Sequence, residues 1–135
     1  MPVIFWWYDG PVTRVLVVDD EPRVARALEF AFANSEVTLV PVTDASQVEP
    51  VAAADPPDAI LLDIGLNTAD GLDVCRRLKS DVRFQSIPVL LLSGQTDADT
   101  KAAGLAAGAD DFVAKPFVPT ELLARIEAQI RRRRP

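Results

Sequence analysis

Five residues with reactive or metal-binding side chains follow the short apolar runs of this sequence. Asp19 and Asp20 follow the first run, Asp63 the third, Ser93 the fourth and Lys115 the fifth. If the runs are parallel strands, their carboxyl ends meet at one edge of a sheet, where open α/β sheets bind ligands. Neighbouring carboxylates raise each other's pKa, so such a cluster requires a cation. The pattern therefore predicts a cation-dependent site rather than a feature that stabilises the fold.

The residue types favour phosphoryl transfer to a carboxylate. Oxygen ligands suit a hard ion such as Mg²⁺, which is held by few carboxylates and completed by water. Asp63 is a carboxylate nucleophile of the kind that forms an aspartyl-phosphate. Lys115 and the Ser93 hydroxyl can neutralise and bind the phosphoryl oxygens. Taken singly, Asp20 can also be a helix cap, and Asp63 can equally be an ordinary strand end, but their joint occurrence with the other residues favours a site.

The elements that must position these residues alternate along the chain. The apolar runs are rich in Val, Ile and Leu, and most are continuous, which is typical of parallel strands covered on both faces. They occupy residues 15–18, 37–42, 59–62, 88–92 and 111–114. Amphipathic segments lie between them, so we expect a single α/β domain of βαβ units with helices on both faces of the sheet.

Helical periodicity predicts which faces of the intervening segments are buried. The first helix follows Pro22, which suits a helix start, whereas the second and fourth, near 45–54 and 97–107, are alanine-rich and less periodic. The sets that share a face are Val24, Leu28, Ala31 and Phe32 in the first helix, Leu72, Cys75, Leu78 and Val82 in the third, and Leu122, Leu123, Ile126 and Ile130 in the last. Cys75 is therefore expected to be buried.

Composition argues against several classes of protein. The 135 residues are 49% hydrophobic and 25% charged, as in a soluble globular domain, and the net charge of -6 argues against a nucleic-acid surface. The absence of histidine excludes Ser-His-Asp hydrolysis, histidine zinc sites and a phosphohistidine carrier. A single cysteine, no membrane-spanning run and no signal peptide together predict a cytoplasmic protein that does not enter membranes.

Longer segments around the same residues resemble the receiver domain of two-component response regulators. The matching segments are Val15-Leu-Val-Val-Asp-Asp-Glu21, Ala59-Ile-Leu-Leu-Asp-Ile64, Asp70-Gly71, Pro88-Val-Leu-Leu-Leu-Ser-Gly94 and Gly108-Ala-Asp-Asp-Phe-Val-Ala-Lys-Pro-Phe117. The resemblance covers residues of about 13 to 134. It implies a (βα)5 flavodoxin-like, doubly wound α/β domain with a five-stranded parallel sheet of order 2-1-3-4-5.

The resemblance also implies a role for each reactive residue. It makes Asp63 the phosphoacceptor and Lys115 the cationic partner of the phosphoryl group. Asp19 and Asp20 become the acidic pair that binds Mg²⁺, together with Asp63 and the backbone carbonyl of Gly65. The cofactor that the resemblance implies is therefore Mg²⁺.

Two residues are implied to switch, and two positions depart from the family pattern. Ser93 is the hydroxyl that turns toward the phosphoryl group, and Phe112 is the aromatic that swings inward when Ser93 moves, although Phe112 also fits a plain core position. The Lys115-Pro116 bond is expected to be cis. Gly65 is small where a larger side chain is common, and Asn67 stands where proline is frequent. We expect a mobile loop and a shorter-lived phosphoryl group.

The chain ends and the last helices raise separate expectations. Residues 1–12 are predicted to be an N-terminal extension outside the fold, 13–130 the receiver domain, and 131–135 a basic C-terminal end or linker stub. Similar receivers dimerise through the fourth helix, fifth strand and fifth helix. The residues at fitting positions are Lys101, Asp111, Glu121 and Arg125. An ordinary solvated helix surface explains these charges equally well, because exposed ion pairs contribute little.

The sequence is compatible with three functions. A signalling switch would take a phosphoryl group from a sensor histidine kinase or histidine phosphotransfer protein, and would act through a homodimer or an effector domain. It would not be an enzyme beyond its own phosphorylation and slow dephosphorylation. An adaptor of the same fold would bind partners without phosphorylation, but the intact reactive residues favour the switch. A magnesium-dependent phosphatase usually has a second acid two residues after the nucleophile, where Gly65 stands.

Overall fold

The computed structural model describes residues 13–65 and 70–133, in which strands and helices alternate. The strands are β1 (Thr13–Val18), β2 (Val37–Val42), β3 (Ala59–Asp63), β4 (Val89–Ser93) and β5 (Asp111–Ala114). The helices are α1 (Pro22–Ala31), α2 (Val48–Ala54, after a 3₁₀ turn at Ala45–Gln47), α3 (Gly71–Ser80), α4 (Ala98–Ala106) and α5 (Pro119–Arg133). The expected N-terminal extension, 1–12, and the departure at Asn67 lie outside the described residues.

The strands of the described chain pair in parallel in the order β2-β1-β3-β4-β5. This confirms the order that the resemblance implied. The chain first runs outward from β1 to β2 and then crosses back to β3 on the other side of β1. The reversal opens a crevice at the carboxyl ends of β1 and β3. Asp19 and Asp63 stand at these two ends, so the topology itself brings them together.

Helices cover both faces of the sheet, as predicted. Because side chains alternate along a strand, Leu16 packs into a core with Cys75 of α3, whereas Val17 packs into a second core with Leu28 of α1 and Ile126 of α5. The thiol of Cys75 is buried, which confirms that expectation. Among the described residues, no helix combines the length and the apolar character that crossing a bilayer would need.

Two predicted core positions are wrong. Val82 is 80% exposed, because α3 ends before it and Asp81 takes up an extended backbone conformation. Phe84, two residues later, is 1% exposed and fills the core beside α3. On α1, Ala31 is exposed and Ala25 is buried in its place. Periodicity located each face correctly but assigned one residue too many to it.

The strand ends differ slightly from the prediction. β1 begins two residues early, where the Arg14 N–H donates to Asp58 Oδ2 over 2.9 Å. β3 and β4 each continue by one residue, to Asp63 and Ser93. Both reactive side chains are thus carried by the last residue of a buried strand, which limits the freedom of their backbone.

The start of α3 lies unusually close to the end of β3. A Cβ atom on Gly71 would lie 2.5 Å from Ile64 Cα and 2.7 Å from the carbonyl oxygen of Asp63. Carbon atoms in favourable contact are about 3.5–4.0 Å apart, so only glycine fits here. The carboxylate of Asp70 caps the helix by accepting from the Leu72 N–H over 2.9 Å. Helix α3 therefore supports the strand end that carries Asp63.

Candidate functional site

Asp63 lies at the centre of the predicted cluster. Its Oδ1 accepts a hydrogen bond from the Gly65 N–H over 2.8 Å, and its Oδ2 forms an ion pair with Lys115 Nζ. The Lys115 N–H in turn donates to the Ser93 carbonyl oxygen over 2.8 Å, which continues the pairing of β4 and β5 beyond β5. The peptide bond between Lys115 and Pro116 is cis, as the resemblance implied. The carboxylate of Asp63 is thus held from both sides.

Two further carboxylates follow β1. Asp19 is 4% exposed, and its Oδ1 accepts from the Glu21 N–H over 2.8 Å. Its Oδ2 is buried and has no hydrogen-bond partner in residues 13–65 and 70–133. Burial raises the pKa of the Asp19 carboxyl from 3.8 to about 6, and the charge of Asp63 adds to this rise against the opposing Glu21 hydrogen bond. A cation between Asp19 and Asp63 would relieve both penalties.

Two clefts open onto this centre. The first, the β1 cleft, has a volume of about 220 Å³ and is lined by Asp19, Asp20, Glu21, Val24, Asp63, Gly65 and Lys115. The second, the β4 cleft, has a volume of about 630 Å³ and is lined by Asp63, Ile64, Gly65, Leu72, Ser93, Gly94, Gln95, Asp99, Thr100, Ala103 and Lys115. Asp63, Gly65 and Lys115 belong to both. A group bound to Asp63 would therefore meet the acidic pair on one side and the hydroxyl on the other.

The acidic residues share the β1 cleft without forming a closed metal cage. Within the described ranges, no three carboxylate, thiol or imidazole side chains converge as they would around a bound ion. The two carboxylate oxygens of Asp63 face the Gly65 N–H and the Lys115 ammonium. Asp19 Oδ2 is the oxygen still lacking a donor. The residues present fit a hard cation that is held by few carboxylates and otherwise by water.

The Ser93 hydroxyl is close to the site but bonded elsewhere. It donates to the Gln95 carbonyl oxygen over 2.9 Å and accepts from the Gln95 N–H over 3.0 Å. Ser93 is 3% exposed. The single donor hydrogen of the hydroxyl is thus used within the loop after β4, and donation to a group on Asp63 would require the bond to the Gln95 carbonyl oxygen to break.

The predicted dimer residues lie away from the two clefts. Arg125 forms ion pairs with Asp111 at 3.1 Å and with Glu121 at 3.2 Å, which together raise the pKa of its guanidinium. Lys101 is exposed on α4. A groove of about 280 Å³ between α4 and α5, the α4–α5 groove, is lined by Lys101, Phe112, Val113, Ala114, Pro116, Phe117, Val118, Glu121, Leu122 and Arg125. Three of the four predicted residues thus border one groove together with Phe112.

Two glycines make close contacts that the sequence patterns do not predict. Gly71 belongs to one of the segments that resemble the family, but that resemblance does not show that the start of α3 lies too close to Asp63 for any side chain at this position. No expectation from the sequence concerns Gly104, which faces the Phe112 ring. The signal was present: a glycine costs stability in the middle of a helix, and Gly104 interrupts the alanine-rich α4.

Comparison with known proteins agrees with this architecture. The family model described as the response regulator receiver domain matches residues 15–127. The chain is 40% identical over 119 residues to the DNA-binding response regulator MtrA of Mycolicibacterium smegmatis, covering 88% of this chain and 51% of that protein. It is also 40% identical over 121 residues to the transcriptional regulatory protein KdpE of Mycobacterium tuberculosis, covering 90% and 52%. The chain spans about half the length of these relatives.

Solved structures of similar chains have the same fold. The receiver domain of the Francisella response regulator 1452 superimposes with a TM-score of 0.82 at 25% identity, covering 90% of this chain and 99% of that one. The BeF3-activated N-terminal receiver domain of Klebsiella pneumoniae RstA gives a TM-score of 0.80 at 28% identity, covering 88% and 99%. Together with the strand order and the matched residues, these similarities show that the chain belongs to the response regulator receiver domain family of two-component systems.

Proposed function

We propose that this domain is a phosphorylation-driven signalling switch in which Asp63 accepts a phosphoryl group. The observation that carries the proposal is the environment of Asp63, a nearly buried carboxylate oriented by the Gly65 N–H and balanced by Lys115. A structural ion pair would not require three further polar groups at neighbouring strand ends. The same environment favours the switch over a passive adaptor, because the residue types that phosphoryl transfer needs all lie around Asp63.

In this mechanism a carboxylate oxygen of Asp63 attacks the phosphorus of a phosphohistidine on a partner kinase or phosphotransfer protein. A P–O bond forms as the P–N bond breaks, and the imidazole leaves with the electron pair of that bond. Lys115 remains beside the acceptor and pairs with a phosphoryl oxygen in place of the carboxylate charge. Later attack of water on phosphorus releases inorganic phosphate and restores Asp63, so the chain performs no turnover of another substrate.

Mg²⁺, which receiver domains bind at their phosphorylation site, would neutralise charge on the phosphoryl oxygens when bound. Asp19, Asp20, Asp63 and the backbone carbonyl of Gly65 would hold it. The support comes from the Asp19 carboxylate, whose buried Oδ2 lacks a donor. Asp19 is fixed by the Glu21 N–H, so it can present this oxygen to an ion without first reorganising.

Ser93 and Phe112 would report the modification to the surface. The Ser93 hydroxyl would exchange the Gln95 carbonyl for a phosphoryl oxygen and so move away from the loop after β4. Phe112, which belongs to the edge strand β5, borders the α4–α5 groove and is partly buried, would then turn further inward. The groove would change shape as a result, together with the charged residues along it.

Phosphorylation would be read through a homodimer or an effector domain. A dimer across α4, β5 and α5 would let Lys101, Asp111, Glu121 and Arg125 exchange partners between two copies. Arg125 already pairs with two acids inside one chain, so this exchange would replace existing ion pairs rather than create new charge contacts. The named relatives are DNA-binding and transcriptional regulators about twice as long as this chain, which supports an effector domain as the recipient.

Intact mass measurement after incubation with acetyl phosphate and Mg²⁺ tests the acceptor role. We expect the mass to increase by one phosphoryl group in the wild type and in Asp99→Asn, a control that removes an exposed carboxylate of the β4 cleft. The increase should be lost in Asp63→Asn. No increase at any Mg²⁺ concentration would refute the switch and leave the adaptor as the better explanation.

Sedimentation with and without beryllofluoride tests the dimer separately. Beryllofluoride should convert the wild type from monomer to dimer, and Arg125→Ala should weaken that conversion because it removes both ion pairs. A wild type that stays monomeric in both conditions would rule out the dimer without affecting the assignment of Asp63.

A further inference from the structure

Gly104 of α4 sits against two side chains of the sheet. A Cβ atom on Gly104 would lie 3.0 Å from Leu91 Cδ1 and 3.1 Å from Phe112 Cδ2. Leu91 and Phe112 are paired across β4 and β5, so their side chains stand next to each other on one face of the sheet. The missing side chain of Gly104 therefore leaves the space into which both groups fit.

The two neighbours of Gly104 differ in their freedom to move. Leu91 is fully buried, within the core that contains α3. Phe112 is partly buried, and it borders the α4–α5 groove, which has space for its ring. An added methyl group at Gly104 would come closer than the roughly 3.5–4.0 Å of a favourable carbon contact. Movement of the Phe112 ring toward the groove would relieve its own contact with the methyl group, whereas the contact with the fully buried Leu91 would remain.

We propose that Gly104 is a positioning residue of the switch, and that its missing side chain allows the Phe112 ring to pack inward against β4. The inference rests on the proposed switching role of Phe112. Gly104 lines neither the β1 cleft nor the β4 cleft. It therefore acts on how phosphorylation is transmitted and not on whether Asp63 is phosphorylated.

The substitution Gly104→Ala tests this, with the Leu91 methyl groups as the reporter. Selective methyl labelling and NMR would follow the shift that the Phe112 ring current imposes on the Leu91 methyl signals, with and without beryllofluoride and Mg²⁺. In the wild type we expect the signals to move on addition of beryllofluoride. In Gly104→Ala we expect the ring-current shift to be smaller, because the methyl group displaces the ring, and the response to beryllofluoride to be reduced. Wild-type signals and response in the variant would overturn the inference.

Thermal unfolding separates the steric effect from helix propensity. Alanine is the better helix former, so Gly104→Ala should raise the Tm if nothing obstructs its methyl group. We expect it to lower the Tm in the wild-type background and to lower it by less in the Phe112→Leu background, where the ring is gone but the Leu91 contact remains. Folding of the double variant when Gly104→Ala alone fails to fold would support the same clash. An equal change of the Tm in both backgrounds would refute it.

The acceptor role is judged by an independent measurement. Gly104→Ala should take up a phosphoryl group from acetyl phosphate at the wild-type level, as read by intact mass. If neither protein is phosphorylated, the proposed function fails, whatever the NMR signals show. If the wild type is phosphorylated but its Leu91 signals ignore beryllofluoride, Phe112 is not a switch and the inference about Gly104 falls with it.

Discussion

Replacing Asp19 with asparagine should stabilise the metal-free domain while impairing its response to Mg²⁺. The wild-type carboxylate is buried with one oxygen lacking a donor, and it faces Asp63 and Lys115 as well as the acidic residues Asp20 and Glu21 of its own loop. Asparagine removes the charge, and its side-chain oxygen can still accept from the Glu21 N–H. The buried charge is thus lost without loss of the hydrogen bond that orients the side chain.

The size of the effect follows from the pKa. A rise in the pKa of Asp19 from 3.8 to about 6 corresponds to about 3 kcal/mol lost from the free energy of unfolding at neutral pH. The β1 cleft admits solvent, so we expect about 2 kcal/mol to be recovered in Asp19→Asn. The folded wild type keeps a proton between about pH 4 and pH 6 that the unfolded chain has lost. Its stability therefore falls as the pH rises through this interval, and the gain from asparagine grows in parallel.

Urea denaturation followed by circular dichroism, in EDTA at about pH 4 and pH 8, measures this. Asp19→Asn should be more stable than the wild type at the higher pH and nearly equal to it at the lower one. Asp99→Asn, which changes an exposed carboxylate, should match the wild type at both. Saturating Mg²⁺ should stabilise the wild type by about 2–3 kcal/mol at 100 times its Kd, and Asp19→Asn by much less. Equal stability of Asp19→Asn and wild type at high pH would refute the reasoning.

Three other substitutions probe the remaining parts of the site. Lys115→Ala removes the cation paired with Asp63 and should slow phosphorylation by acetyl phosphate about 100-fold in intact-mass time courses; an unchanged rate would make the pair purely structural. Gly71→Ala should lower the free energy of unfolding in urea by more than about 2 kcal/mol, whereas Gly94→Ala, whose Cβ meets no atom within 4 Å, should change it by less than about 0.5 kcal/mol. Similar effects would contradict the close approach of α3. Gly65→Met places a large side chain beside Asp63 Oδ1 and should lengthen the phosphoryl half-life followed by mass; an unaltered half-life would count against control of water access by this position.

The positions of the candidate site residues at strand ends could be predicted because parallel strands are simple to recognise locally. A buried parallel strand is apolar on both faces, so the first polar residue marks its carboxyl end, and Asp63 and Ser93 were found in this way. The order of the strands has no such local signal. It depends on pairings such as Leu16 with Ile60, which are far apart in sequence, and it was available only through the resemblance.

Other features depend on how side chains meet in three dimensions. The unpartnered Asp19 Oδ2 and the bonds between Ser93 and Gln95 follow from loop geometry, which spacing does not encode. The prediction that Val82 is buried was wrong for a different reason. Periodicity describes the face that a helix would present if it continued, whereas the extended backbone of Asp81 ends α3 first. The contact of Gly104 with Phe112 likewise could not be predicted, because it depends on how α4 packs on the sheet.

In the proposed switch, the paired hydrogen bonds between Ser93 and Gln95 would give the domain a threshold against activation without phosphorylation. A net hydrogen bond stabilises by about 1 kcal/mol, which keeps a hydroxyl in its resting place about five times as often as not. Ser93 has little to gain by leaving unless a better acceptor arrives, and a phosphoryl group with its charged oxygens is a stronger acceptor than the Gln95 carbonyl. A thermal fluctuation would therefore not hold the proposed switch in its active position, because only phosphorylation would supply the acceptor that competes for the hydroxyl.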